Sequence, residues 1–587
     1  MRTIEELSFE FVVVGGGMAG ICAALSAARR GVRTCLVHDR AVLGGNASSE
    51  IRMQIRGAST KFPLYREGGI LEEIALLNEK YNPEMNYPIW DGILWDLVKK
   101  EKNLTLMTNT VCTGAEREGD RVSAIRALGL TNYREFFIRA DFFADCSGDC
   151  VLADFLPVKT RIGREGKAEF NESAAVSQAD GCTMGDSVLI QVRETDHPVS
   201  FTPPSFARKV TDEDFKNRLN IKDRYGFLKT NFWWIELAYG RRALEEAETT
   251  KDDLIAIAYG TWDYIKNSGK FEADNWTLDF VGFYPAKRES RRYVGVYTLT
   301  QNDIDALTPF EDEIAYGGWP MDDHSPNDFD HGESPNVNHK VKAPYAIPYR
   351  ALYTDALANL AFAGRNISAT HMAMSSTRVM ATCGLMGHAV GTAVSLAKKH
   401  TLSAFADILP HIAELKQRLR DDDCYLLHTP REVSSTIREA DCNLSEEKRG
   451  RLLSGIERSF EEDNTLSLAK GEPLILAFPA TQAECIRLVF DSDISRACQP
   501  NRDLAMYPQV YAYPKDAPNA FVPPALVRAY TVTVQTEEGE TLTFTEKENA
   551  SRLVLLPIKR RITSITFVGE ETYGAEDIRL FSLDITA

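Results

Sequence analysis

The sequence predicts an α/β fold carrying an inserted α+β region and ending in a β-sandwich of jelly-roll type. Three observations predict this arrangement. A run of β-branched residues flows through a glycine cluster into a helix-spaced segment near the N-terminus. An apolar strand and a long small-residue helix return near residue 360, after a long stretch without that rhythm. Beyond about Thr429 only short strands and turns remain.

Phe9 to Val14 reads FEFVVV and leads directly into GGGMAG and ICAALSAARRG. Ile21, Ala24, Leu25 and Ala28 fall at helical spacing, Gly31 suits the C-terminal stop, and RTCLV at 33–37 forms a second strand. These make one βαβ unit. From Leu104 to Leu130 two alternating strands flank the turn EREGD, and RADFFADCSGD is an apolar strand ending in another glycine turn. A parallel nucleotide-binding sheet with a small β insertion fits. Aromatics and prolines then dominate, as in NFWWIELAYG and WTLDFVGFYPAKRESRRYVGVYTLTQNDI, which predicts an inserted substrate domain. NLAFAGRNIS restores a strand, a helix is predicted from about Thr382 to Lys399, and a helical stretch follows at 403–427. The expected domains are therefore 1–157 and 349–430 for the two parts of the nucleotide-binding domain, 158–348 for the insertion, and 431–587 for the sandwich.

Composition narrows the function. The 587 residues carry 67 Lys and Arg against 84 Asp and Glu, a net charge of −17, which disfavours nucleic acid and anionic membrane surfaces as partners. The N-terminus lacks a basic segment followed by an apolar run, and no stretch reads as a membrane span, so a cytoplasmic protein is expected. Eleven scattered cysteines without paired ligand spacing predict reduced thiols. Homo-oligomerisation is left open.

Gly15, Gly17 and Gly20 form G-x-G-x-x-G between a strand and a helix, with Met18 and Ala19 opening that helix. The first glycine permits the tight turn, the second lets backbone approach a pyrophosphate, and the third allows close helix packing. A carboxylate for the adenosine ribose is expected at the end of the second strand, yet LVHDR puts His38 there and Asp39 one place later, with Arg40 following. Either His38 or Asp39 fills that role.

LGGN at 43–46, GRNISATH at 364–371, STRVMATCGLMGHAVGTA at 376–393 and RESRR at 288–292 together resemble the bacterial FAD-dependent oxidoreductases related to the glutathione-reductase-like flavoproteins. The resemblance spans roughly residues 8 to 430 and implies a Rossmann-type FAD-binding domain. It implies that Gly44, Gly45, Asn46 and Ser48 pass beside the pyrophosphate and flavin, and that backbone near Val111 reaches the adenine. Cys146, Ser147 and Gly148 stand where such proteins usually carry Ala-Thr-Gly. Gly364 and Arg365 are implied at the ribityl chain, and Gly384, Leu385 and Met386 in a helix start whose dipole stabilises the reduced ring. No CxxC pair follows the first glycine motif, which disfavours disulfide reduction, and a second complete glycine motif for NAD(P)H is missing.

His371 follows the implied flavin-contacting turn closely and is the expected general base, with Arg52 and Arg378 as candidates to orient substrate or polarise the flavin. Alternating Arg and Glu in RESRR reads as a buried ion network. His324, His331 and His339 lie in an Asp- and His-rich loop without regular ligand spacing, so a polar active-site loop is expected there and no metal. The C-terminal strands resemble the galactose-binding-like, discoidin-type jelly roll, which serves either carbohydrate binding or packing. The expected activity is hydride transfer between a small molecule, a sugar or glycoside, and flavin N5. The alternatives are a flavin-dependent C=C reductase and a carbohydrate-binding protein with a non-catalytic flavin.

Overall fold

A computed structural model describes residues 4–215, 234–331, 334–499, 512–513 and 515–586. Residues 231–233 of the aromatic segment and residues 332–333 of the Asp- and His-rich loop lie outside this set. The chain divides into two compact units: residues 1–57, 85–412 and 507–518 form the first, and 58–84, 413–506 and 519–587 the second.

The first unit is built on a seven-stranded sheet. Strand Ile4–Val14 pairs in parallel with Thr34–Val37 on one side and Glu135–Asp145 on the other, and Leu104–Met107 extends the sheet past Thr34–Val37. Glu135–Asp145 carries two neighbours: its first half pairs antiparallel with Arg121–Gly129, and its last residues pair in parallel with Leu360–Phe362. Strand Thr110–Glu118 completes the β insertion. The innermost residues, Phe11, Val12, Val13 and Phe143, are fully buried, as expected of a parallel sheet covered on both faces.

Helix Met18–Arg29 packs on the sheet and against helix Met380–His400. The latter is 21 residues long with mean hydropathy 1.3, long and apolar enough to cross a membrane by composition, which corrects the expectation that no such stretch exists. In the fold 94% of that apolar window is buried, so its hydrophobicity serves the core. Residues 158–348 do not separate as a compact unit of their own, although they hold a distinct apolar core in which Ile190, Leu237, Leu254, Trp262 and Phe329 meet.

The second unit contains a seven-stranded antiparallel sheet in which two long strands, Pro473–Phe490 and Leu553–Thr572, pair along both halves. Register shifts near residues 477–485 bend the first of them. Its first half lies in the layer with Val527–Thr536, while its second half pairs with Ile578–Thr586. Leu474, Val532, Phe567, Ile486, Leu488 and Leu580 from these layers share one core, so a single sheet folds over on itself as a sandwich.

The boundary of this unit falls earlier than residue 431, and the unit takes in helix Ile70–Tyr81 from near the N-terminus. Buried ion pairs supply the reason. Arg496 reaches Glu79 at 2.7 Å and Glu72 at 3.0 Å, and Arg66 pairs with Glu72 at 3.0 Å. Arg487 holds Glu457 at 2.8 Å through a second nitrogen, and Arg552 holds Asp423 at 2.8 Å. Removing one member leaves buried charge without a partner. Arg496→Met is therefore expected to destabilise this unit by about 3–5 kcal/mol, read as faster hydrogen exchange of its sheet amides in urea. Unchanged exchange would show that the network contributes no stability.

Candidate active site

Four glycine turns gather at the carboxyl ends of the parallel strands, where ligands bind in open α/β sheets. The first follows Val14, the second is the loop after Val37, the third follows Asp145 and the fourth follows Phe362. Backbone contacts lock them together. Gly15 adopts φ +107°, and a Cβ there would sit 2.5 Å from the Cys146 carbonyl, so only glycine brings the first and third turns this close. Gly44, also at φ +107°, donates its N–H to the Gly16 carbonyl at 2.9 Å and bridges Gly17.

Gly17 differs from its neighbours. Its backbone is ordinary and extended, φ −72° and ψ −179°, and a Cβ built on it meets nothing within 4 Å. This is the cradle a pyrophosphate requires: backbone N–H groups at a helix start with open space before them. Among the described residues, three buried polar atoms of the neighbouring segment, Ser48 Oγ and the Nε and Nη1 of Arg40, have no hydrogen-bond partner. The residues therefore fit FAD, with Gly15–Gly20 and Gly44–Ser48 placed to hold the phosphates. Gly17→Val is expected to keep the far-ultraviolet circular dichroism of the wild type yet purify without FAD and melt at the temperature of the FAD-stripped wild type, whereas a full flavin content in this variant would refute the placement.

His38 is buried, and both ring nitrogens serve the backbone: Nδ1 accepts from Gly16 N–H at 3.0 Å and Nε2 donates to the Val42 carbonyl at 3.0 Å. Burial lowers its pKa to about 4, partly offset by Asp39, so the ring is neutral. Of the two ribose candidates, His38 is thus a staple of the loop, and Asp39 keeps a carboxylate whose side chain is 50% exposed. Val111 lies next to Thr110, whose N–H bonds the His38 carbonyl at 2.8 Å, which brings it to the same sheet edge.

Arg365 spends three of its five N–H donors within the protein. It donates to the carbonyls of Gly148 and Lys287, each at 2.9 Å, and to Asp149 at 2.7 Å, tying the fourth turn to the third. Arg365 and Lys287 hold the partly buried Asp149 carboxyl well below the usual range despite its desolvation. Asp145 organises Ser147, accepting from its N–H at 2.9 Å and its Oγ at 2.5 Å, while Tyr293 donates to the second oxygen at 2.7 Å. Gly384, Leu385 and Met386 lie buried in the first turns of helix Met380–His400, whose N-cap Val379 provides no side-chain cap.

His371 heads the short helix His371–Thr377 and is 3% exposed. Nδ1 faces Glu289 at 3.0 Å and Nε2 faces Asp323 at 3.0 Å. Burial alone would depress its pKa, but the two carboxylates outweigh this and push it up to about 10. This environment speaks against the general-base expectation: a ring held as a cation donates both N–H groups and keeps no lone pair for a substrate proton. RESRR is the buried network its pattern predicts. Arg292 bonds Glu289 and meets Glu165 at 2.8 Å, while Arg288 meets Glu236 at 3.2 Å. His324 joins the latter pair, 2.8 Å from Glu236 and 3.2 Å from Asp322.

Arg378 donates to the Asp322 carbonyl at 3.0 Å, and its buried Nε has no partner among the described residues. Arg52 stands in the left-handed region at φ +63°, a strained backbone for arginine. Its guanidinium lies over Phe280 and Tyr87, donates to Gln191 at 2.6 Å and faces Asp279 at 3.5 Å. Beside His371 a small cleft is lined by Arg164, Glu165, Glu172 and Asp323. Asp323 and Asp186 carry no sequence signal, since neither spacing nor motif sets them apart from other acidic residues.

A folded-state pKa near 10 means that the native protein keeps the His371 proton where the unfolded chain, near 6.5, releases it. Stability should therefore fall between about pH 6.5 and 10, by up to about 1.4 kcal/mol per pH unit. His371→Gln should flatten that slope in urea titrations. Equal slopes in the two proteins would show a neutral imidazole.

The comparisons agree with this geometry. Residues 10–419 match the FAD dependent oxidoreductase family. No curated protein sequence matches. Among solved structures the chain is similar to a geranylgeranyl bacteriochlorophyll reductase-like protein from Thermoplasma acidophilum, at 11% identity over 71% of this chain and 84% of that one, with a TM-score of 0.31. It is also similar to p-nitrophenol 4-monooxygenase from Pseudomonas putida DLL-E4, at 11% identity over 70% and 86%, TM-score 0.33. A third is the myxobacterial chondrochloren halogenase, at 12% identity over 71% and 80%, TM-score 0.32. Likenesses this weak say nothing about substrate. The family match covers more than half of the sequence and falls on the segments that build the glycine turns: the chain belongs to the FAD-dependent oxidoreductase family.

Proposed function

We propose that this enzyme oxidises a hydroxyl-bearing carbon of a small polyhydroxylated substrate, a carbohydrate or glycoside. What supports the reading is the family's FAD chemistry together with a small polar hollow beside His371, lined by Glu165, Glu172, Asp323 and Arg164 and large enough for a single hydroxyl group. Bound FAD supplies a two-electron acceptor for hydride. Gly15, Gly17, Met18, Ala19 and Gly20 would hold its pyrophosphate, and Asp39 the adenosine ribose. The uncapped helix start at Met380 and the unpartnered hydroxyl of Thr382 would favour negative charge on the reduced ring.

His371 acts in this reading as a positioning residue. As a fixed cation it keeps Glu289 and Asp323 ionised and orients them, so that Asp323 presents a carboxylate at the cleft. Arg52, clamped by rings and a strained backbone, and Arg378, whose Nε has no partner among the described residues, are the groups we assign to orienting substrate. The folded-over C-terminal sheet is a candidate carbohydrate-docking module. We assign the enzyme to the cytoplasm, acting on small molecules.

The test is anaerobic mixing of the holoenzyme with D-glucose, D-galactose and their methyl glycosides. Loss of the oxidised flavin absorbance is expected with at least one of them. An unbleached flavin across the whole panel would overturn the carbohydrate reading.

A further inference from the structure

We propose that Asp186 is the proton-accepting side chain of this site, taking the substrate's hydroxyl proton as its carbinol carbon is oxidised. The inference rests on the oxidation reading given above. Asp186 belongs to the two-residue strand Asp186–Ser187, is 3% exposed, and among the described residues has no hydrogen-bond partner on either carboxyl oxygen. A carboxyl buried in this way costs stability, and a partner brought by the ligand offsets that cost.

Its position is fixed by the neighbouring segment. Ser187 and Ala286 exchange backbone hydrogen bonds of 3.2 and 2.8 Å in an antiparallel bridge, which sets Asp186 opposite Lys287. The Lys287 carbonyl accepts from Asn46 at 3.1 Å and from Arg365 at 2.9 Å, and its ammonium binds Asp149 at 2.7 Å. Asp186 therefore stands at the meeting point of three of the four glycine turns. Ser187, on the opposite face of the strand, is taken up by Arg288 at 2.6 Å. Alternation thus turns Asp186 away from the Arg288, Glu236 and His324 cluster.

The charged groups that act on it are Lys287, Arg365 and Asp149, with Arg288 the weakest of them, and its partner across the paired strand is the apolar Leu237. Burial pushes the Asp186 carboxyl up to about 7, against the pull of Lys287 and Arg365. A group poised there both accepts and releases protons at neutral pH, which His371 does not. In the proposed step the substrate O–H bond breaks and an Oδ–H bond forms. The C–H electron pair leaves as hydride to the oxidant, FAD, and a carbonyl results; the proton later passes to solvent.

Asp186→Asn is close to isosteric and cannot ionise. The midpoint potential of the bound FAD, measured by dye equilibration between about pH 5 and 9, reports the nearby charge without needing a substrate. Below about pH 7 the two holoenzymes should coincide. Above it the wild type should hold the two electrons about tenfold more weakly, about 30 mV for a two-electron couple. Potentials that stay parallel throughout would overturn the assignment of Asp186. In the second arm, anaerobic reduction by the sugar panel should slow at least about a hundredfold in Asp186→Asn with its FAD content unchanged. Equal reduction rates would also overturn the assignment, while a wild type that no sugar reduces would overturn the oxidation reading and, with it, the role of Asp186.

Discussion

The first unit depends on a contact between two backbones. A Cβ on Gly387 would lie 2.0 Å from the Ala19 carbonyl, and one on Gly391 would lie 2.1 Å from the Ala23 carbonyl. Helices Met18–Arg29 and Met380–His400 approach so closely that any side chain at either glycine would drive them apart. Ser26 seals the contact by donating to the His388 carbonyl at 3.1 Å. This joins the first βαβ unit to the segment that returns after the long insertion. Strand Leu360–Phe362 can then add beside Glu135–Asp145, and the fourth glycine turn reaches the other three.

Once the turns converge, side chains whose types suggest ligand binding are recruited to hold them. His38 staples the second turn to the first, and Arg365 staples the fourth to the third. Both are polar residues at strand ends beside a nucleotide site, the setting in which sequence reading favours a ligand role. Their hydrogen bonds run to backbone and, for Arg365, to the Asp149 carboxylate instead. That leaves the glycines, Asp39 and the buried polar atoms that no described residue satisfies as the groups that fit FAD.

Much of this was legible in the sequence because it is local. Strand, glycine turn and helix follow one another within Phe9–Gly31, and the alternation of Arg and Glu in RESRR announced a buried network. What was not legible is long-range. Nothing in ILEEIALLNEKY says that Glu72 and Glu79 meet Arg496, or that Ser492, 420 residues away, bonds Glu72. Nor could proximity to a predicted flavin turn reveal that His371 is gripped by Glu289 and Asp323, since its charge state is set by residues 82 and 48 positions away. Single strands of the C-terminal sheet were readable by alternation. That two of them run through both layers was not, because a bent long strand reads as two short ones.

Both units bury many charges, and in each the charges are paired around arginine. Such pairs contribute geometry more than net stability, because desolvation offsets much of their attraction. In the first unit that geometry converges on the turns at the sheet edge, and the central claim is that those turns hold FAD. Acid release of the cofactor from the purified full-length protein, followed by chromatography against FAD and FMN, tests it most directly. The account predicts FAD in an amount equal to the protein, since the four turns suit a dinucleotide; release of FMN, or of no flavin, would contradict it.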